Sequence, residues 1–262
     1  MVLHKASPIP LYYQLAELIK EQIRVGDLQP GDQLPAERTL SETFAISRMT
    51  ARQAIAYLVR EGTLIAKHGL GTYVAEPKLM HDMLHLLGFT EEMMQRGLVT
   101  SRVLEQEVII PSQRVAAGLQ LRPEATVAKL VRLRLLNTTP LLLETSFVPT
   151  ALCPGLERED MSSQSLYAVL EQRYNLRLTS SRQALEATIA NAYEATMFAI
   201  TAGAPMFLLE GVIFDEQERP VEYAKTVYRG DRFKFSFESE RAVLRNDTPV
   251  APQVSLVLAR DL

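Results

Sequence analysis

Between Pro10 and Val74 the apolar residues fall into three helical periods in close succession, and then into a short alternating stretch around two glycines. That order constrains the fold more than any other feature of the chain. The first period, PLYYQLAELIKEQIRVG, sets Leu11, Leu15, Leu18, Ile19 and Ile23 on one stripe, opens on Pro10 and stops at Gly26. The second follows the Pro30-Gly31 turn and Pro35, with Leu40 and Phe44 four residues apart. Ser47 offers an N-cap to the third, SRMTARQAIAYLVREG, where Ala51, Ala54, Ile55, Leu58 and Val59 keep helical spacing until Gly62. Beyond it, TLIAKHGLGTYVA alternates apolar residues on either side of His68-Gly69-Leu70-Gly71, which predicts a hairpin with a glycine-rich tip.

Three helices followed by a hairpin predict a winged helix-turn-helix domain over residues 1–77. The formal net charge of the whole chain is -3, which excludes a general nucleic-acid coat and requires any basic surface to be local. Such a surface exists between Ile46 and Ala75, where Arg48, Arg52, Arg60 and Lys67 face only Glu61. The polar side of the third helix carries Arg48, Arg52, Gln53 and Arg60, with no carboxylate until Glu61. Arg binds guanine bidentately and Gln binds adenine, so such a face suits the major groove. Thr50, and the amides at the helix start behind Ser47, suit phosphates instead. At the hairpin tip Gly69 and Gly71 let the backbone approach a duplex closely, while Lys67 and His68 supply charge or a donor at the groove edge. Singly, each feature has a plainer explanation, a solvated arginine or an ordinary turn. Their order and spacing together point to DNA.

From residue 78 the texture changes. Strands are expected at 103–109, 126–136, 140–148, 182–190, 205–215 and 219–231, with helical segments near 82–96, 112–119, 165–174 and 191–201. The stretches 126–148 and 205–230 each read as strand, polar turn, Pro and strand, two antiparallel hairpins that suggest a loose internal duplication. Arg132 and Arg134 lie two apart in an otherwise apolar strand, so both guanidiniums leave one face. Adjacent cations are tolerated at a wet edge, or useful where a phosphate or carboxylate neutralises them. Glu144 interrupts Leu141-Leu142-Leu143, and Glu222, Ala224, Thr226 and Tyr228 share a face. The carboxylates could hold sugar hydroxyls or an amide, or simply pair with the arginines across the sheet.

Residues 10–74 closely resemble the DNA-binding domain of the GntR family of transcription regulators, through Leu28-Gln29-Pro30-Gly31, Leu34-Pro35, Glu37-Arg38, Ser47-Arg48-Met49-Thr50, Arg52-Gln53-Ala54 and Gly69-Leu70-Gly71-Thr72. The resemblance implies operator contacts by Arg38, Arg48, Arg52 and the wing from Lys67 to Gly71. It also implies a homodimer reading an inverted repeat, since one winged helix covers too few base pairs to be selective. Residues from about 82 to 235 resemble the UTRA effector domain of the HutC subfamily, through Gly88-Phe89-Thr90-Glu91-Glu92-Met93, Arg132-Leu133-Arg134, Glu144, Ser165-Leu166-Tyr167 and Pro220-Val221-Glu222-Tyr223. That domain is similar in fold to chorismate lyase, which gives an α+β expectation: a winged helix, then an α/β domain with a mainly antiparallel sheet over 78–241, and a tail over 242–262.

Within the subfamily the chain is most similar to repressors of N-acetylglucosamine utilisation, which respond to phosphorylated amino sugars. By that resemblance Arg132, Arg134, Ser165, Tyr167 and the Phe89-Thr90 backbone would hold a phosphate, and Glu144, Glu222 and Tyr228 the sugar. Gly88 departs from the pattern, because many relatives carry Ser or Thr there. The segment around Glu76 to Leu79 is the expected place for domain orientation to shift. Another sugar phosphate, a carboxylate such as urocanate, or a fatty acid are alternative effectors, and the paired arginines favour an anion. An enzymatic reading would need an acid or base of tuned pKa, yet the candidate face offers Glu144, Glu222 and Tyr228 without His or Cys, so no catalysis is expected.

One cysteine, Cys153, and four His leave no raw material for a disulfide and almost none for a metal site, so neither metal nor cofactor is expected. The apolar runs fall short of the ~20 residues of a membrane span and MVLHKASP has no apolar signal core, so a soluble cytoplasmic protein without membrane contact is expected.

Overall fold

The computed structural model describes residues 3–67, 69–83 and 85–236. His68 and the expected tail at 242–262 therefore lie outside the described residues. The chain divides into two units, Met1–Lys78 and a second that begins at Leu79.

In the first unit the three helical periods become α1 (Leu11–Val25), α2 (Glu37–Thr43) and α3 (Arg48–Arg60), and the alternating stretch becomes the hairpin β1 (Leu64–Lys67) and β2 (Gly71–Val74). Their apolar stripes meet in one core in which Leu15, Ile19, Ala51, Ala54, Leu58 and Leu64 are almost fully buried. Gly26 closes α1 in the left-handed region at φ 87°, a conformation that costs glycine nothing. Ser47 caps α3 by accepting the Thr50 N–H at 3.0 Å, and Ser47→Ala is expected to destabilise this unit by about 1 kcal/mol in urea denaturation.

The second unit is built on a six-stranded antiparallel sheet ordered β4-β5-β6-β9-β8-β7. Its strands are β4 (Val99–Ile109), β5 (Val127–Leu136), β6 (Thr139–Pro149), β7 (Leu178–Ile189), β8 (Pro205–Asp215) and β9 (Pro220–Arg229). The short helix α5 (Gln113–Gly118) joins β4 to β5, and α7 (Ala192–Phe198) joins β7 to β8. Each half is thus strand, capped short helix, strand, hairpin, strand. The halves meet at β6 and β9, so the duplication suggested by the two hairpins extends through the whole sheet. α6 (Leu166–Tyr174) lies between the halves in sequence and packs Leu166, Val169 and Leu170 with Leu130, Val148 and Val221.

The expected helix near 82–96 is corrected. Leu79–Asp82 forms a strand, β3, parallel to β10 (Phe233–Ser236), and only Phe89–Met93 is helical, as α4. Leu79, Met83, Phe89 and Met93 pack from a strand, the residue after it and a five-residue helix against Leu141, Leu142, Tyr228 and Phe233. A helix so short has no stability of its own and is held by this packing. Leu79 also donates its N–H to the Arg232 carbonyl at 2.7 Å, which fixes the last residue of the expected hinge segment in the second unit.

Candidate functional sites

In the first unit α3 presents Arg48, Arg52 and Gln53 to solvent, with Thr50 half-buried beneath the Ser47 cap. Its face is not free of carboxylates, as the sequence suggested. Glu37 reaches across from α2 and accepts both Arg52 Nε at 3.0 Å and Nη2 at 2.9 Å. Arg38 pairs likewise with Glu42 at 2.8 Å along α2. Both arginines remain mostly exposed, at 63% and 72%, so these links orient the guanidiniums without sequestering them. At the wing tip Lys67 sits over the Tyr73 ring, its Nζ 4.5 Å from the centroid. Gly69, at φ 72°, has open space where a Cβ would stand. Gly71 has a further reason to be glycine. At φ 118°, an added Cβ would fall 2.6 Å from Gln33 Nε2, which itself donates to the Leu70 carbonyl and supports the tip.

In the second unit all nine expected effector residues, Phe89, Thr90, Arg132, Arg134, Glu144, Ser165, Tyr167, Glu222 and Tyr228, line one cavity of about 530 Å³. Its floor is one face of the sheet, where the register sets Arg132 opposite Glu144 and Glu144 opposite Thr226. Its other walls come from the start of α4, the start of α6, and β7.

Arg132 and Arg134 are 1% and 2% exposed. β5 is not an edge strand, so the wet-edge explanation of their pairing fails. The cross-strand alternative holds as well as the cavity. Glu144 Oε2 accepts Arg132 Nη2 at 2.6 Å and Arg134 Nη1 at 3.4 Å. Arg134 also donates to Thr90 Oγ1 at 2.5 Å and lies over the Phe89 ring, its Cζ 5.2 Å from the centroid. Burial pulls Arg134 down to about 10; Glu144 resists this and Arg132 adds to it. Burial would push Glu144 up, but the two guanidiniums outweigh it and hold its carboxyl below the usual range. One carboxylate oxygen shared by two guanidiniums leaves further donors for an oxyanion, and Arg132 Nε and Arg134 Nε are buried without a partner.

Glu222 is 1% exposed, and its Oε2 has no hydrogen-bond partner. Burial, and then the Glu144 charge, push its carboxyl up to about 7. Burial also pushes the Tyr167 and Tyr228 phenols well up, so both stay neutral donors.

The residues that sequence reasoning missed are instructive. Gly88 leaves room for a carboxylate, because a Cβ there would stand 2.5 Å from Glu91 Oε2. Glu91 instead accepts the Gly88 N–H at 2.5 Å and the Ser165 hydroxyl at 2.7 Å, joining the starts of α4 and α6. Ser181 and Gln183 of β7 also reach the cavity, as do His81 and His85. The expectation of a site without histidine is therefore corrected. His81 Nδ1 lies 2.6 Å from Glu92 Oε2, and the ring packs against Tyr228 and Phe235. The β3 strand, which the sequence did not suggest, carries it there.

Comparison with known proteins agrees with both halves. Residues 11–74 match the bacterial regulatory proteins of the gntR family and residues 95–234 match the UTRA domain. The chain is 38% identical over 242 residues to the HTH-type transcriptional repressor NagR of Bacillus subtilis, covering 92% of this chain and 99% of the relative. It is 32% identical to the mannosyl-D-glycerate transport/metabolism system repressor MngR of Escherichia coli, over 88% of this chain and 97% of that protein. The crystal structure of PhnF from Mycobacterium smegmatis superposes with a TM-score of 0.60 at 27% identity, covering 86% and 96% of the two chains. No helix among the described residues is long and apolar enough to cross a membrane. A winged helix with an arginine-bearing third helix, followed by an antiparallel sheet with paired arginines on a cavity floor, is matched over both segments, and the chain belongs to the gntR family of bacterial regulatory proteins, among those with a UTRA domain.

Proposed function

We propose that the chain is a transcriptional repressor that binds an inverted-repeat operator as a homodimer and is released by a small phosphorylated sugar, with N-acetylglucosamine 6-phosphate or glucosamine 6-phosphate the first candidates. The observation that carries this reading is the floor of the cavity, where two buried guanidiniums stand beside two carboxyls of opposite character, Glu144 ionised and Glu222 near its midpoint at neutral pH. The arginines suit an oxyanion and the carboxyls suit hydroxyl or amine donors, a combination a sugar phosphate supplies in one molecule. The volume lies within the roughly 300–1,000 Å³ of small-ligand pockets. NagR, a repressor by its name, adds support through its 38% identity.

Thermal unfolding with each amino-sugar phosphate, alongside urocanate and other sugar phosphates, tests the effector. A ligand at a hundred times its Kd should add about 2.7 kcal/mol, and the same ligand should lower operator affinity in an anisotropy titration. If no sugar phosphate moves either readout, the effector reading falls. On the DNA side, Arg52→Ala should weaken operator binding by about 1–3 kcal/mol while the ligand-induced shift stays unchanged.

A further inference from the structure

β3 brings His81 to the wall of the cavity, and three other elements hold its ring there. Nδ1 lies 2.6 Å from Glu92 Oε2 of α4, and the ring packs against Tyr228 of β9 and Phe235 of β10 with centroids 5.4 Å and 5.2 Å away. The side chains of His81 and Glu92 are 12% and 10% exposed. His85, the other histidine on the wall, is a different case: its side chain is 71% exposed and its partner Asp82 lies three residues back on the same stretch of chain.

A carboxylate oxygen accepts and does not donate, so the ring proton belongs on Nδ1 and the lone pair of the neutral imidazole belongs on Nε2. Among the described residues nothing hydrogen-bonds to that second nitrogen. A ring kept for packing alone would be better served by Phe, because a largely buried acceptor without a donor costs about 1–3 kcal/mol. Here the tautomer and the orientation are both fixed, and the free acceptor belongs to a residue of the cavity wall.

The sheet register says which end of a ligand would meet it. Arg134 stands opposite Leu142, and Leu142 opposite Tyr228, so Tyr228 shares a rung with Arg134 at two strand spacings, about 10 Å. His81 packs at the Tyr228 end of that rung. A lone pair there repels an oxyanion and takes an O–H or N–H, which a sugar ring offers once its phosphate rests on the arginines. We propose that His81 is a specificity-determining residue of the cavity, its Nε2 accepting a hydrogen bond from a donor on the sugar ring while Glu92 holds the tautomer. This rests on the reading that a small phosphorylated sugar occupies the cavity, and adds to it a requirement for a donor beside Tyr228.

Titration calorimetry of the full chain with glucosamine 6-phosphate, N-acetylglucosamine 6-phosphate and inorganic phosphate tests the contact. H81N keeps an N–H toward Glu92 and leaves nothing in the place of Nε2, whereas H81Q carries an amide oxygen that reaches it. H81N should weaken the tighter-binding sugar phosphate by about tenfold while inorganic phosphate changes by less than about twofold, and H81Q should keep most of the wild-type affinity. The chain has four histidines, so 15N-histidine spectra give a readout that needs no variant to bind. The His81 signals, identified by their loss in H81N or H81Q, should show Nδ1 protonated, and the Nε2 resonance should move on addition of the sugar phosphate. Should no sugar phosphate bind the wild type, the effector reading falls and this contact with it. Sugar-phosphate binding that H81N leaves unchanged, or an Nε2 resonance that saturating ligand does not move, would overturn the contact and leave the effector reading standing. Equal losses of sugar phosphate and inorganic phosphate in H81N would overturn it too, since His81 would then shape the anion end of the cavity.

Discussion

Replacing Glu144 with glutamine should destabilise the UTRA domain by about 3 kcal/mol, and inorganic phosphate should restore much of the loss. The wild-type carboxylate is the counter-ion of two guanidiniums that are 1% and 2% exposed. An amide of the same shape keeps the packing and removes the charge, which leaves two like charges buried side by side. Breaking a buried pair by deleting one partner costs about 3–5 kcal/mol. The lower figure applies because Glu144 is itself 18% exposed to the cavity. An anion that enters the cavity supplies the missing charge, so urea denaturation of Glu144→Gln in phosphate should recover far more stability than the same change of buffer gives wild type. Equal stability of the two proteins in chloride would show that the guanidiniums do not depend on Glu144. A destabilised variant indifferent to phosphate would show that the cavity does not admit an oxyanion to them.

This link between fold stability and anion binding also accounts for how the site is kept without ligand. Arg134 rests on Thr90, Phe89 and Glu144, while Glu91 ties the amide of Gly88 to the Ser165 hydroxyl. On the proposed reading an incoming oxyanion would compete with these contacts, and α4 is too short to hold its position without them. Binding there would therefore bear on the segment that follows β3, the first strand of the second unit. An effector can shift DNA binding only by as much as its affinity differs between the two arrangements, and contacts that must be exchanged on binding are where such a difference arises.

Much of this was legible in the residues. Period 3.6 with Gly stops gave α1, and Ser47 marked the start of α3, because local chemistry decides those ends. The cavity floor followed from period two, which sets Arg132 with Arg134 and Glu222 with Tyr228 on common faces whatever the neighbouring strands are. The partners across elements did not follow. Glu37 meets Arg52 from fifteen residues away, and Glu91 meets Ser165 from seventy-four, through packing that no local pattern encodes. β3 was missed because it is only four residues long and pairs with β10, distant in the sequence, a contact that no local pattern encodes.

The pH dependence of stability should turn on Glu222. Its carboxyl rises from the ordinary 4.5 to about 7 in the fold, first because it is buried and then because Glu144 is near. A folded-state value above the unfolded one means that the fold favours the protonated form. The stability this contributes is complete below about pH 4.5 and is lost as pH rises through about 7, to a total of roughly 3 kcal/mol at 1.36 kcal/mol per unit. Glu222→Gln cannot titrate, so relative to wild type it should gain about that amount between pH 4.5 and 8, read from urea midpoints across the range. Parallel curves for the two proteins would place the carboxyl in an ordinary environment and remove it as a sensor of the ligand. If a sugar amine or hydroxyl donates to Glu222, binding stabilises the carboxylate and expels a proton near neutrality, so titration calorimetry in buffers of different ionisation enthalpy should give heats that depend on the buffer in wild type and not in Glu222→Gln. Glucosamine 6-phosphate, whose ammonium lends a charge to that contact, should release more of the proton than its N-acetylated counterpart, and the order of the two identifies which end of the sugar faces β9.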